Sequence, residues 1–167
     1  MPERVRITDV AARDGLQNEG APIPTARKIR LVDALSASGC DEVEVSSFVS
    51  PRWVPQLGDA AEVFAGIAPR AGVAYSALVP NDRGLAAALA VRDATRARFG
   101  RALPDKLAVF TAASQTFSQK NTGASIAESI ARFGPIASAC REHTIPLRAY
   151  ISCVIACPFE GPIDPGA

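Results

Sequence analysis

The chain has 167 residues, of which 48% are hydrophobic, with 18 basic and 17 acidic side chains and a formal net charge of +1. That is enough apolar material for one domain with a real core, and too little excess charge to argue for a nucleic acid or an anionic membrane as partner. The N-terminal residues lack a charged segment followed by an apolar run, and no stretch approaches the roughly 20 apolar residues that span a bilayer, so a cytoplasmic protein is expected.

In chain order, the hydrophobic period switches repeatedly between two and about 3.6, which is the pattern of a βα repeat. Val5 to Val10 reads as a first strand. It runs into Arg13-Asp14-Gly15-Leu16-Gln17-Asn18-Glu19, a polar loop in which Gly15 permits a sharp turn. A guanidinium and a carboxylate on such a loop can hold an anionic substrate and a hard cation, though an ordinary surface ion pair between Arg13 and Asp14 is the simpler alternative. Thr25 is placed to cap a first helix carrying Ala26, Ile29, Val32 and Leu35 on one stripe, closed by Gly39. A second strand spans Asp41 to Ser46, with Val43 and Val45 on one face and Glu42, Glu44 and Ser46 on the other. A rigid, aromatic loop follows from Ser47 to Gln56, and Asp59 with Glu62 matches a capping box for a short helix ending near Gly66.

Val73 to Val79 reads as a third strand, Leu85 to about Arg98 as a helix with a charged outer face, and Leu107 to Ala112 as a fourth strand. Ala113 to Asn121 is expected as a further polar loop. Ser125 and Glu128 form a capping box for a fourth helix that turns Ile126, Ile130, Phe133 and Ile136 inward, contains Pro135 and ends near His143. In the fifth strand, Leu147 to Cys153, apolar Leu147, Ala149 and Ile151 alternate with Arg148, Tyr150 and Ser152. A parallel strand covered by helices on both sides should be apolar on both faces. Polar side chains on one face of such strands suit the interior of a (β/α)8 barrel, whose sites lie at the C-terminal strand ends. The expected fold is therefore α/β, a single partial TIM barrel over residues 1–167 with five strands and four helices. There Glu44 and Arg148 can meet, as substrate-facing groups or as a buried structural pair. Four cysteines and one histidine are too few, at the wrong spacing, for a zinc site.

Arg13-Asp14-Gly15-Leu16-Gln17-Asn18-Glu19, Ser47-Phe48-Val49-Ser50-Pro51, Trp53-Val54-Pro55-Gln56, Pro80-Asn81, Ala112-Ala113-Ser114, Lys120-Asn121, Tyr150-Ile151-Ser152-Cys153 and Cys157-Pro158-Phe159-Glu160-Gly161 occur in this order. Together they resemble the N-terminal part of the 3-hydroxy-3-methylglutaryl-CoA lyases, within the metal-dependent TIM-barrel lyases and Claisen-type synthases. The resemblance implies an acyl-CoA substrate and retro-Claisen cleavage to acetyl-CoA and acetoacetate, in leucine breakdown. It implies Arg13 as the catalytic cation and Asp14 as a ligand of Mg2+ or Mn2+. Gln17, Glu44, Ser47, Asn121, Arg148 and Tyr150 would be substrate-binding or supporting groups. A related acyl-CoA lyase or Claisen-type synthase of the same superfamily, and a non-catalytic half-barrel binding or assembly module, are the alternatives. The family's further metal ligands and proton donor have no counterpart here, and a full barrel takes about 250 residues. The expectation is thus an N-terminal fragment whose open sheet edges favour a homodimer.

Overall fold

The computed structural model describes residues 4–166. The strands are β1 (Thr8–Asp9), β2 (Glu42–Ser47), β3 (Ala74–Leu78), β4 (Lys106–Ala112) and β5 (Leu147–Ser152), joined in one sheet in chain order, with β6 (Ala156–Cys157) and β7 (Gly161–Pro162) forming a separate antiparallel pair. The helices are α1 (Thr25–Ala37), α2 (Ala60–Gly66), α3 (Asp82–Phe99), α4 (Gln115–Thr122) and α5 (Ile126–Glu142). β1 and β2, and β2 and β3, pair in parallel, as a helix between successive strands requires. This is the expected α/β half-barrel. Among the described residues no helix is long and apolar enough to cross a membrane. The chain divides into two compact units, one up to Leu107 and one from Ala108.

In the first unit, one sheet face is the core. Val43 and Val45 of β2 and Tyr75 and Ala77 of β3 pack with Val32 of α1, Val63 and Phe64 of α2 and Val91 of α3. Complete burial of a side chain such as Phe64 is worth about 1.5–3 kcal/mol. The Tyr75 hydroxyl on this face is satisfied: it accepts from Arg70 N (2.8 Å) and donates to Ser36 Oγ (3.1 Å). α3 begins one turn earlier than its apolar pattern suggests, because Asn81 caps it by accepting from Gly84 N at 3.0 Å. Gly84 is required there, since a Cβ would lie 2.7 Å from the Phe48 carbonyl oxygen.

Three local expectations for this unit fail. β1 is only two residues long, because the Asp41 carboxylate takes the Ile7 N–H (2.9 Å) and the Arg4 guanidinium (2.5 Å), leaving Val5 and Ile7 exposed. Asp59 does not cap α2, since its carboxylate accepts from Lys28 Nζ (2.6 Å) and Thr25 Oγ1 (2.7 Å). Thr25, engaged in that bond, is the first residue of α1, and Pro24 stands at the cap position.

In the second unit, the polar stretch expected as a loop is helix α4, giving five α-helices among the described residues in place of four. Ser114 caps it by accepting from Phe117 N (3.0 Å), and Gly123 closes it at φ 65°. The capping box of Ser125 and Glu128 forms as expected, and Pro135 lies inside α5. The inward stripe of α5 is Ser129, Phe133, Ile136 and Cys140, so Ile130 is exposed where burial was expected. In β5 the alternation holds, with Leu147, Ala149 and Ile151 exposed and Arg148, Tyr150 and Ser152 half-buried.

Ser114 is buried, and its hydroxyl also donates to Cys157 Sγ at 2.9 Å. Ser114→Ala is expected to destabilise the chain by about 1 kcal/mol. Urea unfolding should then show a lower midpoint at unchanged slope.

A candidate active site around Arg13

The chain leaves β1 through a single π-helical turn, Ala11–Gly15, a rare geometry found often at functional sites. Asp9 starts the turn by accepting from Ala11 N (2.9 Å), and Asp14 N closes it on the Val10 carbonyl (2.7 Å). The turn places Arg13 against β2, with its side chain 14% exposed. Its Nε donates to Glu44 Oε1 at 2.5 Å and its Nη1 to Asp14 Oδ1 at 2.7 Å. Glu44 is fully buried, whereas the Asp14 side chain is 56% exposed. Breaking a buried pair of this kind by removing one partner costs about 3–5 kcal/mol, because the other charge stays behind without water. Arg13 is therefore held rigidly while Asp14 keeps one oxygen towards solvent.

The face of β2 that carries Glu44 is set by a β-bulge. Glu42 lies beside Ala74 and Glu44 beside Ser76, then the register shifts, so that Ser46 lies beside Ala77 and Ser47 beside Leu78. Neighbours in a parallel ladder share a face, which puts Ser47 with Glu44 and turns Ser46 towards the core. Strict alternation had placed Ser46 with Glu44, and the extra residue reverses the two serines. Deeper on the polar face, Glu42 pairs with Lys106. Gln17 is half-buried just beyond the π turn. In the second unit, the Arg148 guanidinium donates to the Tyr150 hydroxyl (3.0 Å) and lies 5.7 Å from the centre of its ring, while Asn121 sits exposed near the end of α4.

Arg13, Asp14 and Glu44 are thus brought together, with Ser47 on the same sheet face, and Arg148 is brought to Tyr150. Ser76 joins Glu44 on that face, a placement the sequence reading did not single out. A single hydroxyl at an alternating position of β3 was the available signal.

Residues 4–165 match the family described as HMGL-like. The chain belongs to that family. It is similar to the 3-hydroxy-3-isohexenylglutaryl-CoA/hydroxy-methylglutaryl-CoA lyase of Pseudomonas aeruginosa, at 52% identity over 99% of this chain and 51% of that protein. The crystal structure of hydroxymethylglutaryl-CoA lyase from Pseudomonas aeruginosa superposes with a TM-score of 0.87 at 52% identity, covering 98% of this chain and 51% of that one. An Acinetobacter baumannii HMG-CoA lyase in complex with coenzyme A and 3-methylmalate has a TM-score of 0.84 at 34% identity, covering 96% and 49%. The chain spans about half the length of the curated relatives it matches.

A divalent cation needs several oxygen ligands, and in this HMGL-like chain the π turn offers the half-exposed Asp14 carboxylate. One of its oxygens already accepts from Arg13, and no group of three or more His, Cys, Asp or Glu suited to a metal ion occurs among the described residues. The described residues do not by themselves make a metal site.

The HMGL-like motif around Cys157 fastens the second unit. Burial pushes the Cys157 thiol up, but hydrogen bonds from Ser114 and from the backbone N–H groups of Phe159 and Glu160 outweigh it and leave the thiol below its ordinary range. Phe159 packs beneath the Lys120 ammonium, 4.5 Å from the ring centre, and beside Phe117. Hydrogen bonds from Ser114 and Thr116 hold the Glu160 carboxyl below the ordinary carboxylate range. A folded-state value below the unfolded one means a stabilisation present above the ordinary range and lost as pH falls through the depressed value. Melting temperatures measured across acid pH should therefore fall more steeply for the parent than for Glu160→Gln, with the gap between them closing at low pH.

Proposed function

We propose that this chain supplies the arginine-bearing part of an active site that cleaves 3-hydroxy-3-methylglutaryl-CoA into acetyl-CoA and acetoacetate. The observation that carries the reading is Arg13, locked by buried Glu44 at 2.5 Å at the end of β1. The names of the relatives, all lyases acting on glutaryl-CoA derivatives, favour this substrate over a synthase reaction. The coenzyme A held by the Acinetobacter baumannii relative supports an acyl-CoA ligand.

The reaction removes the proton of the tertiary hydroxyl. The alkoxide then becomes the ketone of acetoacetate as the carbon–carbon bond breaks, and the bonding pair passes to the carbon beside the thioester, whose oxygen takes up the charge of an enolate. A proton delivered to that carbon completes acetyl-CoA. A fixed cation aimed at the thioester oxygen lowers the barrier because the charge grows only as the bond breaks. Arg13 suits this task. Its Nε and Nη1 are committed to Glu44 and Asp14, and its remaining N–H donors are oriented by those two bonds.

Asp14 is proposed as a hard-oxygen ligand that this chain offers to Mg2+ or Mn2+. Gln17 and Ser47 are proposed as substrate-facing groups, as are Asn121, Arg148 and Tyr150 on the strength of the family resemblance. A cytoplasmic setting and a role in leucine breakdown belong to the same proposal, as does association of two copies through β1 or β5, the outer strands of the sheet. Sedimentation giving a stable monomer would remove the last of these.

The test is a chimera in which this chain replaces the matching half of the Pseudomonas aeruginosa relative, assayed for acetyl-CoA release from 3-hydroxy-3-methylglutaryl-CoA with Mg2+ or Mn2+. The chimera should turn over, and Arg13→Gln should lower kcat about 100- to 1,000-fold with little change in KM. Arg13→Lys keeps a cation beside Glu44 and guards against simple unfolding. It should also be slow, because an ammonium lacks the planar fork. A folded chimera that releases no acetyl-CoA, or an Arg13→Gln variant as fast as its parent, overturns the reading.

A further inference from the structure

The polar face of the first unit carries two enclosed hydroxyls, Ser47, already proposed to face the substrate, and Ser76, which has no role so far. Ser76 lies beside Glu44 and Ser47 beside Leu78, so the bulge in β2 brings both serines to the face that holds the Arg13–Glu44 pair. Ser76 is 0% exposed and Ser47 1%. Neither Oγ has a hydrogen-bond partner.

Two other buried hydroxyls in the same unit, those of Ser36 and Thr95, are satisfied. Ser36 Oγ donates to the Val32 carbonyl, and Thr95 Oγ1 donates to the Val91 carbonyl and accepts from Leu103 N. Leaving a buried hydroxyl without a partner is costly, and native proteins do so rarely. Two such groups share one sheet face beside the Arg13 guanidinium and the buried Glu44 carboxylate, so a polar ligand there would find hydroxyls ready to pair with it.

We propose that Ser76, together with Ser47, is a specificity-determining residue that hydrogen-bonds an oxygen of the acyl group bound at Arg13. The assignment rests on the lyase reading above. A hydroxyl both donates and accepts, so it can serve the substrate's tertiary hydroxyl or its carboxylate, and it discriminates against an acyl group with no oxygen at that position. Discrimination of this kind is strong, because a ligand lacking the oxygen leaves the serines buried and unpaired once more.

The experiment uses the same chimera with Ser76→Ala. An unpartnered hydroxyl contributes nothing to the empty protein, so the melting temperature without ligand should hold or rise. The kcat/KM should fall about tenfold, mainly through KM, the size expected for one lost hydrogen bond to a ligand. Ser47→Ala added to Ser76→Ala should cost less than the product of the two single effects, because both serines serve one ligand. An unchanged kcat/KM overturns the proposal. So does a loss that comes with a lower melting temperature in the empty protein, since the hydroxyl would then be serving a buried water or the protein itself. Should the parent chimera prove inactive, the lyase reading fails separately. The serines are then read by the rise in melting temperature that 3-methylmalate gives to this chain. Ser76→Ala should shrink that rise, and an equal rise in parent and variant overturns the proposal.

Discussion

The buried ion pair between Arg13 and Glu44 is the constraint from which the proposed site follows. Glu44 is fully enclosed on β2, and an enclosed carboxylate is tolerable only with a cation in direct contact. The π turn after β1 delivers that cation. Because either partner alone would be a buried charge, the pair fixes the turn to the sheet as firmly as any apolar contact. The same bond orients the guanidinium for whatever anion or oxyanion meets it.

The first unit divides its labour between two sheet faces. The face of Val43, Tyr75 and Ala77 is closed by helices and supplies cohesion, while that of Glu42, Glu44, Ser47 and Ser76 is polar and supplies chemistry. One bulged residue in β2 makes this division possible. Without it, Ser47 would point into the apolar core and Ser46 would occupy its place. A register shift at the end of a strand thus changes which side chain reaches the site without changing the composition of the strand.

The second unit is organised around Ser114. Its oxygen caps α4, and its proton goes to Cys157 at the start of the β6–β7 hairpin. Glu160 from that hairpin returns to the first turn of α4 through Thr116 N at 2.9 Å. A stretch rich in polar residues becomes an ordered helix because both its ends are capped, by Ser114 and by Gly123, and because Phe117 and Lys120 pack against Phe159. Propensity alone does not favour that helix, and the contacts across the unit override it.

The sequence by itself determined the βα alternation, the five main strands, the capping box of Ser125 and Glu128, the loop that carries Arg13 and Asp14, and the family. These are legible because they depend on period, on local capping chemistry and on motifs contiguous in the chain. Tertiary structure decided the rest. Asp59 had the spacing of a helix cap but was drawn to Lys28 and Thr25, 31 and 34 residues away. Asp41 shortened β1 by taking the Ile7 N–H for itself. The choice between Ser46 and Ser47 depended on a register shift against β3, and the isolation of Ser76 on the enclosed face it shares with Glu44, where no partner reaches its hydroxyl. Each outcome was a competition for a partner distant in sequence, and the pattern of a single segment holds no record of the partner that wins.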